Sequence, residues 1–239
     1  MVDIEEIASR DAYQVSMKGR VLESFEDGVV LDRTVFYARG GGQPGDFGVI
    51  RCEGEVIPVI DTVRKDGKVF HVFGDPHPLE PGMVVDGAID WHRRHKLMRT
   101  HTALHALSAV IYRDFGAKVT GGNMEPGSAR MDFELEGISQ AFGGEVEDRL
   151  NKELAKDHQV TVEFLPREVA LADPELIRTK VNLIPEWVKE IRVVTIGDLD
   201  RQADGGTHVR STSSVGPIRV TKTESKGRLN KRMRIELEG

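Results

Sequence analysis

Cysteine occurs once in the 239 residues, at Cys52, so no disulfide can close within the chain and a reducing, intracellular setting is expected. No apolar run approaches the roughly 18 residues that a bilayer span requires, which excludes a helical membrane anchor. The opening MVDIEEIASRD is acidic and polar, the wrong chemistry for a secretory signal, and a cytoplasmic location follows as an expectation. A positive excess is also missing. The formal charge is −6, which argues against a protein that coats DNA or any nucleic acid non-specifically. Internal repeats and low-complexity segments are absent. Cys52 itself sits in the short alternating stretch IRCEGEV, where a free cysteine behaves as a small hydrophobe.

With 39% hydrophobic and 30% charged residues, the chain reads as globular, with length enough for one large domain or two smaller ones. Residues 13 to 91 read as short strands rich in β-branched residues, YQVSMKGRVLES, DGVVLDRTVFY, DFGVIRCEGEVIPVI, KVFHVF and GMVVDGAID, separated by EDG, KDG and GDPHPLEPG turns. That pattern predicts a small antiparallel β-barrel over 1–91, with no helix before about residue 92. From there the character changes. RRHKLMRTHTALHALSAVIYRDFG predicts one long helix, with Leu97, His101, Leu104, His105, Ser108 and Tyr112 on a single face and Gly116 as its stop. A strand pair at AKVTGGNM and SARMDFEL follows, then a charged helix near GEVEDRLNKELAKD. VTVEFLP reads as a strand, ALADPELIRT as a short helix, IRVVTIGD as a strand, and the closing segment as a hairpin turning near Lys226-Gly227. The expected fold class is therefore α+β, a β-barrel domain (1–91) followed by an α+β domain (92–239) whose long helix packs on a mixed or antiparallel sheet.

Two basic stretches interrupt the acidic average. WHRRHKLMR (91–99) is one, and Arg219 to Arg234, with seven Lys or Arg against one Glu, is the other. Such runs form solvated faces, or they meet a polyanion that is recognised locally.

Inside the long helix, HTALH places His101 and His105 one turn apart, so both imidazoles aim at a common point. It looks like half of a metalloprotease motif, yet Thr102 stands where the protease carries its glutamate base. About a hundred residues later ADGGTHVRST offers Asp204 and His208, again four apart, in a stretch whose two glycines predict a tight loop rather than a helix. Three imidazoles and a carboxylate suit Zn²⁺, one per chain. Asp204 either binds the ion directly or holds a metal-bound water from outside a three-histidine set.

HTALH, the distant DGGTHVRST and the glycine-rich ARGGGQPGD (38–46) together resemble the editing domain shared by alanyl-tRNA synthetases and the freestanding AlaX alanyl-tRNA editing proteins. The three motifs follow the family's order and span nearly the whole chain, which is similar to the middle-sized freestanding type. One residue departs from the family's pattern: Asp204 stands where Cys is usual. The charge is the same, but a carboxylate is a harder and weaker donor than a thiolate.

The resemblance implies a metal-dependent aminoacyl-tRNA deacylase that hydrolyses mischarged tRNA for alanine, removing serine and possibly glycine. An ester is already activated, so the missing protease glutamate is no obstacle. Recognition of a serine hydroxyl calls for a buried polar partner, for which Thr102, Thr100, Asn123 and Thr207 are candidates. In the glycine-rich motif, Gln43 is the side chain suited to hydrogen bonding with the aminoacyl end, and Arg39 to a phosphate. ARGGGQPGD lacks the Lys-Ser/Thr pair of a P-loop. Candidate tRNA contacts in the basic tail are Lys226, Arg228, Lys231 and Arg232. The competing expectation is a catalytically weakened tRNA-binding module with a structural metal site, which the Cys-to-Asp departure invites.

Overall fold

The computed structural model describes residues 4–137, 139, 141–176 and 188–239. Two compact units divide the chain, Met1–His95 and Lys96–Gly239.

In the first unit, β1 (Glu5–Glu6) forms a short parallel pair with β4 (Arg33–Thr34). The strands β2 (Ser16–Phe25), β3 (Gly28–Leu31), β5 (Gly48–Cys52), β6 (Glu55–Lys65), β7 (Lys68–Phe73) and β8 (Val84–Ile89) close into an antiparallel barrel in the order β2-β3-β7-β6-β5-β8. Alternation along β2 sends Met17 and Val21 inward, where they meet Val29, Leu31, Ile50, Val59, Phe73 and Val85. Cys52 is buried in the same cluster, in the structural role expected of it. The tight turns match their chemistry. Glu53-Gly54 and Asp66-Gly67 both take positive φ, as a two-residue hairpin loop demands.

The glycine-rich segment is pinned to the barrel. Gly40 and Gln43 exchange backbone hydrogen bonds of 3.1 and 2.9 Å around Gly41 and Gly42, whose φ values are +56° and +82°. A Cβ on Gly45 would lie 2.1 Å from the Thr62 carbonyl oxygen, so no larger residue fits there. Asp46 is buried, accepts from the Tyr37 amide at 2.7 Å and is ion-paired with Arg94.

His71 on β7 is fully buried, between Thr34 Oγ1 at 2.8 Å and the Val29 carbonyl at 3.2 Å. Burial lowers its pKa to about 4. Because the unfolded chain binds this proton first, stability falls as pH drops from about 6.5 to about 4, by about 3 kcal/mol. Urea unfolding in the presence of chelator should show that loss in wild type and not in His71→Gln. Identical pH profiles for the two proteins would contradict it.

Helix α1 (Trp91–Phe115) begins where Asp90 Oδ1 caps the Arg93 amide at 3.0 Å, and it stops at Gly116, whose φ is +66°. The single-face expectation is corrected here. Every residue from Thr100 to Ile111 is buried, and the sequence carries no Asp, Glu, Lys or Arg between Arg99 and Arg113. A helix without charges for more than three turns is a core helix.

In the second unit, β9 (Val119–Glu125) and β10 (Ser128–Phe133) precede α2 (Phe142–Leu154). After β11 (Val160–Pro166) come α3 (Arg167–Ala172), β12 (Glu190–Ile196) and β13 (Asp200–Ala203), then β14 (Ile218–Ser225) and β15 (Lys231–Leu237). Two antiparallel sheets result, β14-β15-β10-β9 and β11-β12-β13. The fold is α+β with a barrel, as expected from the sequence. Asn151 of α2 bonds both the amide and the carbonyl of Ile218, each at 2.9 Å, and Glu147 accepts from the Val220 amide, so α2 covers the edge of β14. The expected helix at ALADPELIRT is two short turns, Arg167–Ala172 and Pro174–Leu176, and its last residues lie outside those described. Strand β13 was not foreseen: the sequence reads as a loop directly after IRVVTIGD.

Candidate metal centre

Four possible donors converge. His101 and His105 come from α1, and Asp204 and His208 from the loop that leaves β13. One ligand atom from each lies within 4.8 Å of all the others. Asp204 Oδ1 is 3.6 Å from His101 Nε2 and 3.8 Å from His105 Nε2, and Oδ2 is 3.0 Å from His208 Nε2. Four donors about 2.1 Å from a tetrahedral ion stand about 3.4 Å apart, within the 3.0 to 3.8 Å that separate the Asp204 oxygens from the three rings. The donor set therefore fits such an ion. The three rings face each other with centroids 4.4 to 5.0 Å apart, too close for all of them to be charged.

Each ring is held from outside. His105 Nδ1 donates to Asp200 Oδ2 at 3.1 Å, His208 Nδ1 shares a 3.1 Å hydrogen bond with Thr102 Oγ1, and His101 bonds to the backbone of Thr207. Asp204 is fixed by the Gly206 amide on Oδ2 at 2.7 Å, while buried Arg192 donates to its carbonyl at 2.9 Å. Desolvation by burial, reinforced by the neighbouring rings, keeps His101 neutral, with a pKa of about 4, and lowers His208 well below the imidazole range. His105 is also desolvated, but the Asp200 and Asp204 carboxylates overcome this and raise it to about 9. Burial opposes the charge on Asp204, yet the surrounding imidazoles hold it well below the usual carboxylate range. The cluster thus presents an anion and two neutral imidazoles. Its Gly205 side is exposed, and a Cβ on Gly205 would meet only open space.

Comparison with known proteins places the chain in a family. The chain is 38% identical to the alanyl-tRNA editing protein AlaX-M of Saccharolobus solfataricus over 96% of its length and 97% of that protein's. AlaX-M of Methanosarcina barkeri is 34% identical, over 95% and 96%. The chain belongs to this alanyl-tRNA editing family. It is also 39% identical to a segment making up 24% of the alanine–tRNA ligase of Pyrococcus abyssi. Residues 7–93 match the family of class II (A) tRNA synthetases, and residues 191–234 the second additional domain of threonyl- and alanyl-tRNA synthetases. In the terms of the AlaX family, the second match contains the DGGTH loop and β13.

The other candidate residues are dispersed. Thr102 adjoins the cluster, but its hydroxyl is engaged by His208 and by the Val209 amide at 3.3 Å. Thr207 is buried beside His101. Thr100 bonds the Lys96 carbonyl and the Gly127 amide, an ordinary structural role. Asn123 is exposed on β9, in register with Arg130. Gln43, which is buried, and Arg39, ion-paired with Asp61, belong to the barrel unit. In the tail, Lys226 and Arg228 are exposed. Lys231 is buried and donates to the Gly227 and Arg228 carbonyls, and Arg232 makes two bonds of 2.7 and 2.8 Å to Asp132. The basic run at 91–99 is not one solvated face, because Arg94 is buried and Arg99 holds the Val215 carbonyl.

Sequence reasoning missed Arg192, Asp200 and Gln202. Their only signal is alternation: Asp200 and Gln202 are two apart on β13, and so project to the same side of the strand.

Proposed function

We propose that the protein is a trans-editing deacylase that hydrolyses mischarged tRNA for alanine, chiefly seryl-tRNA and also glycyl-tRNA, at a single zinc ion. The observation that carries this reading is the convergence of His101, His105, Asp204 and His208 on one point, open at Gly205, in a chain that matches AlaX-M along its length. Under this reading residues 92–239 form the editing domain and residues 1–91 the barrel domain that carries the glycine-rich motif. The protein works in the cytoplasm; among the described residues no helix is long and apolar enough to cross a membrane.

His101, His105 and His208 would hold the ion through Nε2, with Asp204 Oδ1 as the fourth donor. Bound there, zinc supplies Lewis acidity toward the ester carbonyl or a water. Asp204 and Gly205 leave the side by which the aminoacyl end enters. Thr102 acts by fixing the His208 ring, while Thr207, beside His101, offers the polar contact for the serine hydroxyl. Of the glycine-rich motif, the exposed Arg39 offers a phosphate contact, whereas Gln43 is buried.

The test is the rate of amino-acid release from seryl-, glycyl- and alanyl-tRNA for alanine. Release of serine at least a hundredfold faster than alanine is expected, since a site built to bond a hydroxyl rejects its absence strongly, with glycine, which also lacks the hydroxyl, released more slowly than serine. Equal rates, or none, would defeat the reading.

The exposed tail residues give a separate expectation. Arg228→Ala and Lys226→Ala should each weaken tRNA binding and reduce the salt slope by about one, whereas Lys231→Ala acts through the hairpin and not through phosphate contact. Filter binding across a salt series checks this. An unchanged slope in both exposed variants would remove the tail from the interface.

A further inference from the structure

The geometry points to Asp200 as the positioning residue of the centre, the carboxylate that fixes the His105 ring and strengthens it as a metal donor. The inference rests on the metal-dependent reading above. Asp200 is buried at the start of β13, and its Oδ2 lies 3.1 Å from His105 Nδ1. Gln202, two residues along the same strand, places Nε2 2.6 Å from that oxygen and 3.1 Å from the same ring nitrogen. A carboxylate only accepts, so the ring hydrogen sits on Nδ1 and points at Asp200. Nε2 is then the nitrogen left for a metal, and it faces Asp204 Oδ1 3.8 Å away.

The other two rings have neutral outer partners, the Thr102 hydroxyl and the Thr207 backbone. Among the described residues, it is the Nδ1 side of His105 that meets a carboxylate, Asp200. A carboxylate behind an imidazole raises its basicity toward a metal and locks its orientation. That gain is placed where it is useful, because the fourth donor, Asp204, is a carboxylate, a harder and weaker donor than a thiolate. Gln202 completes the arrangement by holding the Asp200 carboxylate toward the ring.

Zinc affinity, read by competition with a chromophoric chelator, tests this together with the visible spectrum of the cobalt(II)-substituted protein. The proteins are wild type, Asp200→Asn, His105→Ala and the double variant. Asp200→Asn should bind zinc about 10- to 100-fold more weakly and shift the cobalt bands. In the His105→Ala background it should have no further effect, since Asp200 acts through that ring. An unchanged affinity and spectrum in Asp200→Asn would overturn the assignment. So would an equal loss in both backgrounds, which would mark Asp200 as a folding residue only. Tight zinc binding by wild type with no response to Asp200→Asn defeats this inference alone, while wild type that binds neither metal defeats the metal-dependent reading as well.

Discussion

Asp204→Ala should lose its metal and its deacylase activity together, with serine release falling on the order of a thousandfold. The variant removes the one anionic donor, whose Oδ1 stands 3.6 and 3.8 Å from the two helix imidazoles, and leaves three imidazoles around a gap. A metal's share of transition-state stabilisation is several kcal/mol, and each ~1.4 kcal/mol is tenfold in rate. Metal content and turnover measured on the same preparations check this. Asp204→Cys should keep a metal and move its preference toward softer ions. A loss of only 10- to 100-fold in Asp204→Ala, with metal retained, would instead assign Asp204 to an outer role behind a three-histidine set.

The second large effect is on stability. Arg94→Met should destabilise the barrel unit by about 3–5 kcal/mol, because it strands a buried carboxylate. Both partners are buried, at 0% and 1% exposure. The guanidinium also donates to the Ala12 carbonyl at 2.9 Å and the Val35 carbonyl at 2.7 Å, tying three separate segments to the first turn of α1. Asp46, in turn, terminates the glycine-rich motif and accepts from Tyr37. Urea unfolding of Arg94→Met and of the Arg94→Met/Asp46→Leu double variant separates the causes. The double variant should recover part of the loss, since no unpaired charge remains. A loss below about 1 kcal/mol in the single variant would show that the pair is dispensable.

Most of this arrangement was legible where local chemistry decides it. The barrel strands were readable from period-two alternation and from turns such as Asp66-Gly67, and α1 from its run of good helix formers closed by Gly116. His101 and His105 were readable as a pair because helical geometry fixes residues four apart on one side. Asp204 and His208 were readable as donor types four apart beside two glycines, and the resemblance reinforced them, since a loop imposes no such periodicity.

What escaped has a common reason. Asp200 and Gln202 sit on a four-residue strand too short to show a pattern, and their meaning comes from His105, far away in sequence. Arg94 reads as one more charge in HRRHK until Asp46 is known to lie beside it. The tail cations looked equivalent, yet Lys226 and Arg228 are exposed while Lys231 and Arg232 are bonded internally. Long-range pairing decided each of these, and composition carries no record of it.

The most direct measurement is release of labelled serine from seryl-tRNA for alanine by wild-type protein stripped of metal and then restored with zinc. The account predicts negligible release without metal and recovery that rises with zinc to one equivalent per chain. Full activity in the stripped protein, or none after stoichiometric zinc has bound, would contradict it.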